Sequence, residues 1–217
     1  MPNIDFAQVF ISFLVLLFSL TVHEAAHAWS ADRLGDSTAR LLGRVSLNPA
    51  VHVDPIGTVL FPLIALLTNL PVIGWAKPVP VNIPNLRGQW REKYMVIAAA
   101  GPASNVVLAV IASLVLRAIA PTSADALEGG QVSVGAPLAT FLESAIFINV
   151  LLAVFNMVPV PPLDGGNVLA GLLRGPAGAA FERLRPYGFM ILYALMLTGV
   201  LTALITPPAR FLLSLLL

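Results

Sequence analysis

His23, Glu24 and His27 fall within the run SLTVHEAAHAWSADRL, inside an apolar stretch long enough to cross a bilayer. Phe6 to Val22 holds no charged residue, and neither does Ala25 to Ala31. Ionisable groups at membrane depth are expensive and mark function by default. Positions i and i+4 share one helix face, so both histidines can grip one metal ion. Glu24 sits about 100° round the helix from His23, within reach of a water at that metal. This is the chemistry of a zinc hydrolase set in a membrane. The competing reading is a chance HxxxH on a buried helix. Against it, no other polar residue lies between Thr21 and Ser30.

Zinc catalysis needs three protein ligands and one open position. The chain has no cysteine and only three histidines, His23, His27 and His52, so carboxylates must complete any such site. In the HExxHxxGxxH pattern of soluble zinc proteases the third histidine would fall at Arg33, which excludes that class. Glu92, Glu128, Glu143 and Glu182 lie in or beside loops without special context. Asp164 differs, because it follows a strongly apolar helix and a proline break in PVPPLDGGNVL. Pro159, Pro161 and Pro162 prevent regular helix, and Gly165 and Gly166 allow close backbone approach. Irregular backbone at membrane depth survives only where it is buried in protein or lines a wet cavity. Asp164 is therefore the candidate third ligand, with a helix N-cap as its alternative role.

The elements that must position these groups are membrane spans. The 217 residues are 58% hydrophobic and 11% charged, and a soluble domain carries roughly twice that charge. Mean hydropathy is +0.88, and the class is a polytopic, all-α transmembrane bundle. The net charge of +1 implies no nucleic acid or acidic partner. MPNIDFAQ lacks a basic n-region, so the first helix reads as retained, not as a signal peptide. The length suggests a single membrane-embedded domain over residues 1–217, with no appended soluble domain. Apolar runs predict spans near 6–31, 94–116, 137–155 and 186–204, a small-residue loop over 118–135, and a short helix near Leu173. Residues 210–217 are too short to cross and are expected at the interface or as a cut end.

Loop charge orients these spans. Lys77, Arg87, Arg91 and Lys93 flank one segment and Arg174, Arg183 and Arg185 another, while 118–136 carries only Asp125 and Glu128. Lysine and arginine favour the cytoplasmic side. Helix 94–116 then runs outward and 137–155 inward, which brings Asp164 towards the cytoplasm. Arg33, Arg40 and Arg44 follow the first helix, and Met1 to Asp5 has no basic residue, so His23 and His27 come to the same side. Both ends of 48–93 are then cytoplasmic. Residues 55–76 therefore read as re-entrant, breaking near Pro71–Gly74 and returning as extended chain through Trp75 to Val81.

HEAAH on the first helix, GPASN on the next strong one and NMVPVPPLDGG after another resemble the site-2 family of intramembrane zinc metalloproteases. LNPAVHVDPIGTVLFP and GWAKPVPVN resemble its compact branch, which lacks PDZ and CBS domains. The resemblance spans about Ser19 to Asn167 without departure at a motif position. It implies that His23, His27 and Asp164 bind zinc, that Glu24 is the general base, and that Asn156 lies beside the metal as an oxyanion donor. It also implies that substrates are transmembrane segments of membrane proteins, in some cases membrane-held regulators. A zinc transporter would spread ligands along a route, and an inactive scaffold would not need Glu24. The segment Trp75–Asn82, WAKPVPVN, is a candidate for pairing with an unwound substrate, or else packs against the core. Gly101 to Asn105 suit close helix packing, with Asn105 able to hydrogen-bond across helices. His52 reads as a loop anchor or as support behind the ligands.

Overall fold

The computed structural model describes residues 6–61, 64, 74–127 and 135–217, with side chains left out at 120–127, 135 and 136. The described helices are α1 (Phe6–Arg33), α2 (Thr38–Leu41), α3 (Trp90–Leu127), α4 (Gly135–Asn156), α5 (Asp164–Leu172), α6 (Gly175–Glu182), α7 (Gly188–Leu197) and α8 (Val200–Leu216). Among the described residues there is no β-strand. Stretches of α1, α3 and α4 are long and apolar enough to cross a membrane, at Phe6–Arg33, Trp90–Ile119 and Pro137–Asn156.

In lipid, apolar burial no longer drives helices together, so close packing of small residues and interhelical hydrogen bonds do so. The pattern of α1 follows that rule. Phe10, Leu14 and Phe18 point outward at 61%, 42% and 54% exposure, while Ser19, His23 and His27 face inward. The central helix is α3, which packs on α1, α4 and α5. A core of Ala109, Ala112, Leu142, Ile146, Val150 and Ala209 joins α3, α4 and α8.

Two boundaries differ from expectation. The loop expected from residue 118 is instead helical as far as Leu127, a continuation of α3 through Pro121. The span expected at 186–204 is not one straight helix. Gly199, at φ +77°, stops α7 in the left-handed conformation that glycine adopts freely, and the chain turns by 78° into α8. Residues 210–216 are accordingly the end of a 17-residue helix, not a separate interfacial piece. Arg117 Nη2 donates to Leu215 O at 2.9 Å, and Ser113 Oγ donates to Leu216 O.

Pro55–Leu60 forms one short helical stretch of π type, capped by the Asp54 carboxylate, which accepts from the Ile56 and Gly57 amides. The expected break near Pro71 lies outside the described residues. At Trp75 the chain is back beside that stretch, with Trp75 N donating to Gly57 O at 3.1 Å. Gly74 to Val81 is neither helix nor strand, and Pro78 and Pro80 bring no N–H group to it. Lys77 N donates to His52 O at 2.9 Å and Arg44 Nη2 to Lys77 O at 2.5 Å. His52 Nε2 bonds Ser46 O at 2.8 Å, so His52 anchors a loop.

Buried Asp36 pins the far end of this segment. Its carboxylate accepts from Asn82 N at 2.6 Å, Asn85 Nδ2 at 2.8 Å and Thr38 N at 3.1 Å. Burial pushes its pKa up, but hydrogen bonds from Thr38, Asn85 and the Asn82 amide outweigh that and hold it below the ordinary carboxylate value. A folded-state pKa below the unfolded one stabilises above the unfolded value, and that support fades as pH falls through the folded one. Hydrogen-exchange protection of the Asn82 amide should therefore decline in acid, and Asp36→Ala should lose it already at neutral pH. Unchanged protection in Asp36→Ala would remove this anchor from the account.

Candidate metal centre

Three elements build the site. The helix α1 supplies His23 and His27, about one turn apart, and Glu24 next to His23. The first residue of α5 is Asp164, which follows a turn where prolines 159, 161 and 162 keep the chain out of regular helix after Asn156. A Cβ on Gly165 would stand 2.3 Å from Met157 O, and one on Gly166 2.7 Å from Pro161 N. Only glycines let α5 start against that turn and bring Asp164 inward. The third element is α3, which closes the site from behind through Gly101.

Asp164 Oδ2 lies 3.1 Å from His23 Nε2 and 3.3 Å from His27 Nε2, and the two Nε2 atoms are 3.1 Å apart. Leu163, not Asp164, is the N-cap of α5, and no side chain caps it. Asp164 Oδ2 is buried and accepts no hydrogen bond. His27 Nδ1 lies 2.7 Å from Ile97 O, which can only accept, so Nδ1 carries the hydrogen and Nε2 its lone pair. The His27 Nε2 lone pair thus faces His23 Nε2 and the Asp164 carboxylate. Tetrahedral ligands at about 2.0–2.1 Å from zinc stand about 3.3 Å from one another. The donor set therefore fits zinc by atom type, spacing and unmet charge. Among the described residues this is the one such cluster of three.

Glu24 and Asn156 line the same cavity of 270 Å³ as the cluster, together with Val79, Tyr94 and Asn167. Glu24 Oε2 accepts from Val79 N at 3.1 Å, which ties the extended segment to the site. Asn156 Nδ2 donates to Leu152 O at 3.0 Å, leaving its second N–H for other partners. Burial lowers the pKa of Arg44 from its ordinary value, and the negative charge of Glu24 opposes that shift. All five residues singled out from sequence are thus gathered in one place. Glu182, weighed as a ligand, instead pairs with Arg185 at 2.6 Å.

The model of peptidase family M50 matches residues 11–199. The chain belongs to peptidase family M50. As such it is a metalloprotease of the site-2 type, as its motifs imply, and a membrane protein. It is similar to "Putative zinc metalloprotease YwhC" of Bacillus subtilis, 35% identical over 190 residues, covering 85% of this chain and 79% of that one. It is similar also to "Putative zinc metalloprotease Rip2" of Mycolicibacterium smegmatis, 30% identical over 188 residues, covering 85% and 66%. The Rip2 of Mycobacterium tuberculosis is 24% identical over 197 residues, covering 90% and 70%. No solved structure matches the chain. For this M50 peptidase, sequence reasoning missed Ser19 and Asn149, which hydrogen-bond behind His23. The signal for Asn149 was an amide set in the apolar run AIFINVLLAVF.

Proposed function

We propose that this M50 peptidase is an intramembrane zinc endopeptidase, a single membrane-embedded domain that cuts peptide bonds within or near transmembrane segments of other membrane proteins. The convergence of His23, His27 and Asp164, with ligand atoms 3.1–3.3 Å apart beside Glu24, carries this reading. These three side chains would hold zinc, which when bound supplies Lewis-acid polarisation of water and of the scissile carbonyl. Glu24 takes the proton of the attacking water and passes it to the leaving amine. The free N–H of Asn156 donates to the oxyanion that develops on the carbonyl. The extended chain from Trp75 to Val81 lies along the cavity, where an unwound substrate segment can pair with it. Stoichiometric zinc and chelator-sensitive cleavage of a transmembrane substrate in detergent test the proposal. A protein that binds zinc but cuts no such substrate would refute it.

The site faces the cytoplasm in this reading. A single crossing would part the ends of 55–76 by the bilayer's hydrocarbon thickness of about 30 Å, yet Trp75 N is 3.1 Å from Gly57 O. That contact supports placing Gly57 and Trp75 on one side of the bilayer. In this cysteine-free chain, Arg40→Cys and Lys77→Cys should both react with an impermeant thiol reagent from the cytoplasmic face alone. Labelling from opposite faces would overturn the topology.

A further inference from the structure

We propose that Asn149 and Asn105 are positioning residues that fix the proton of His23 on Nδ1 and so turn its Nε2 lone pair toward the metal. This rests on the reading of His23 as a ligand.

A neutral histidine carries its hydrogen on one ring nitrogen or the other, and the partner of one nitrogen decides the state of the other. For His27 the partner is the Ile97 carbonyl. For His23 it is the side-chain amide of Asn105, with 2.6 Å between His23 Nδ1 and Asn105 Oδ1. An amide has a donating and an accepting end that look alike, so it fixes a tautomer only if something fixes the amide.

Two backbone carbonyls do so. Ala145 O, on α4, can only accept, and Asn149 Nδ2 lies 2.9 Å from it and 2.9 Å from Ser19 Oγ. Asn149 must therefore present Oδ1 on its other side, where Asn105 Nδ2 donates to it at 2.9 Å. The same Nδ2 faces Ser19 O of α1 at 3.4 Å, a second group that can only accept. Asn105 is left with Oδ1 toward His23, and an oxygen can only accept from Nδ1–H. Ser19, His23, Asn105 and Asn149 are at most 4% exposed, so a reversed amide would set buried acceptors against one another. Donation thus runs from one imidazole through two amides to a helix carbonyl.

A packing role for Asn149 predicts something different, and a double substitution separates the two. Asn105→Asp offers His23 an acceptor whichever oxygen turns toward it, so it needs no orientation from Asn149. Zinc affinity is measured by competition with a chromophoric chelator on the full chain in detergent. Asn149→Leu should weaken zinc by about tenfold, within the 10–100-fold span of changes behind a metal ligand. In the Asn105→Asp background the same substitution should change affinity less than about twofold. The imidazole ¹⁵N shifts of His23 in zinc-free protein give a readout independent of metal. They should show hydrogen on Nδ1 in the wild type and a mixture of tautomers in Asn149→Leu. Equal losses in both backgrounds, or an unchanged tautomer in Asn149→Leu, would overturn the inference. A wild type with the Nδ1–H tautomer but no zinc would refute the ligand set instead, and this inference with it.

Discussion

Glu24→Gln should keep its zinc and lose its turnover. Glutamine has the shape of glutamate, and its Oε1 can still accept the Val79 N–H that Glu24 Oε2 now accepts at 3.1 Å. The extended segment therefore stays tied to α1, and the three ligand atoms are untouched. What disappears is a group able to take a proton from water and return it to the leaving amine. That role contributes about 10²–10⁴-fold in rate, and the loss should reach or exceed it. Zinc per chain, measured by elemental analysis, should equal the wild type. Glu24→Ala makes a useful contrast, because it also removes the acceptor for Val79. Its extended segment should become more open to protease as well. Wild-type cleavage by Glu24→Gln would remove the base from the mechanism.

The helix-borne half of this site is legible because helix period is a local property. His23 and His27 need only 3.6 residues per turn to meet, and an apolar run places them at depth. Asp164 is legible for another local reason, since prolines end a helix beside it and glycines follow. The network behind the ligands is not local. Asn105 and Asn149 come together only because α3 packs on α4, and nothing in either segment names the other. The break at Gly199 is hidden for the opposite reason. A glycine inside an apolar run is compatible with a continuous span, and only packing of α8 on α4 selects the turn. The role of α8 follows from that turn. Pro207 and Pro208 look like an end of helix in sequence, yet both lie inside α8, and Ala209 beside them is buried in the core with Ala109 and Ile146.

Gly101→Ala should empty the metal site although it adds a single methyl group. A Cβ at this position would stand 2.3 Å from His27 Nε2 and 2.6 Å from His23 Nε2, at the atoms that face the metal. The methyl therefore needs the space where the ligands converge. The imidazoles cannot simply swing aside, since His27 Nδ1 is tied to Ile97 O and His23 Nδ1 to Asn105, both on the helix that carries the methyl. Helix propensity works the other way, because alanine in a helix interior is favoured over glycine by roughly 0.5–1 kcal/mol. Loss of zinc without loss of helix is thus the expected signature, read by elemental analysis beside circular dichroism. The fall in affinity should exceed the roughly 10–100-fold typical of changes behind a ligand, because here the ligand atoms themselves are displaced. Ala103→Ser, on the exposed side of the same helix, serves as the control and should bind zinc normally. If Gly101→Ala retained full zinc and cleavage, α3 could not lie against the histidines as it does here, and the tight three-helix geometry of the centre would have to be abandoned.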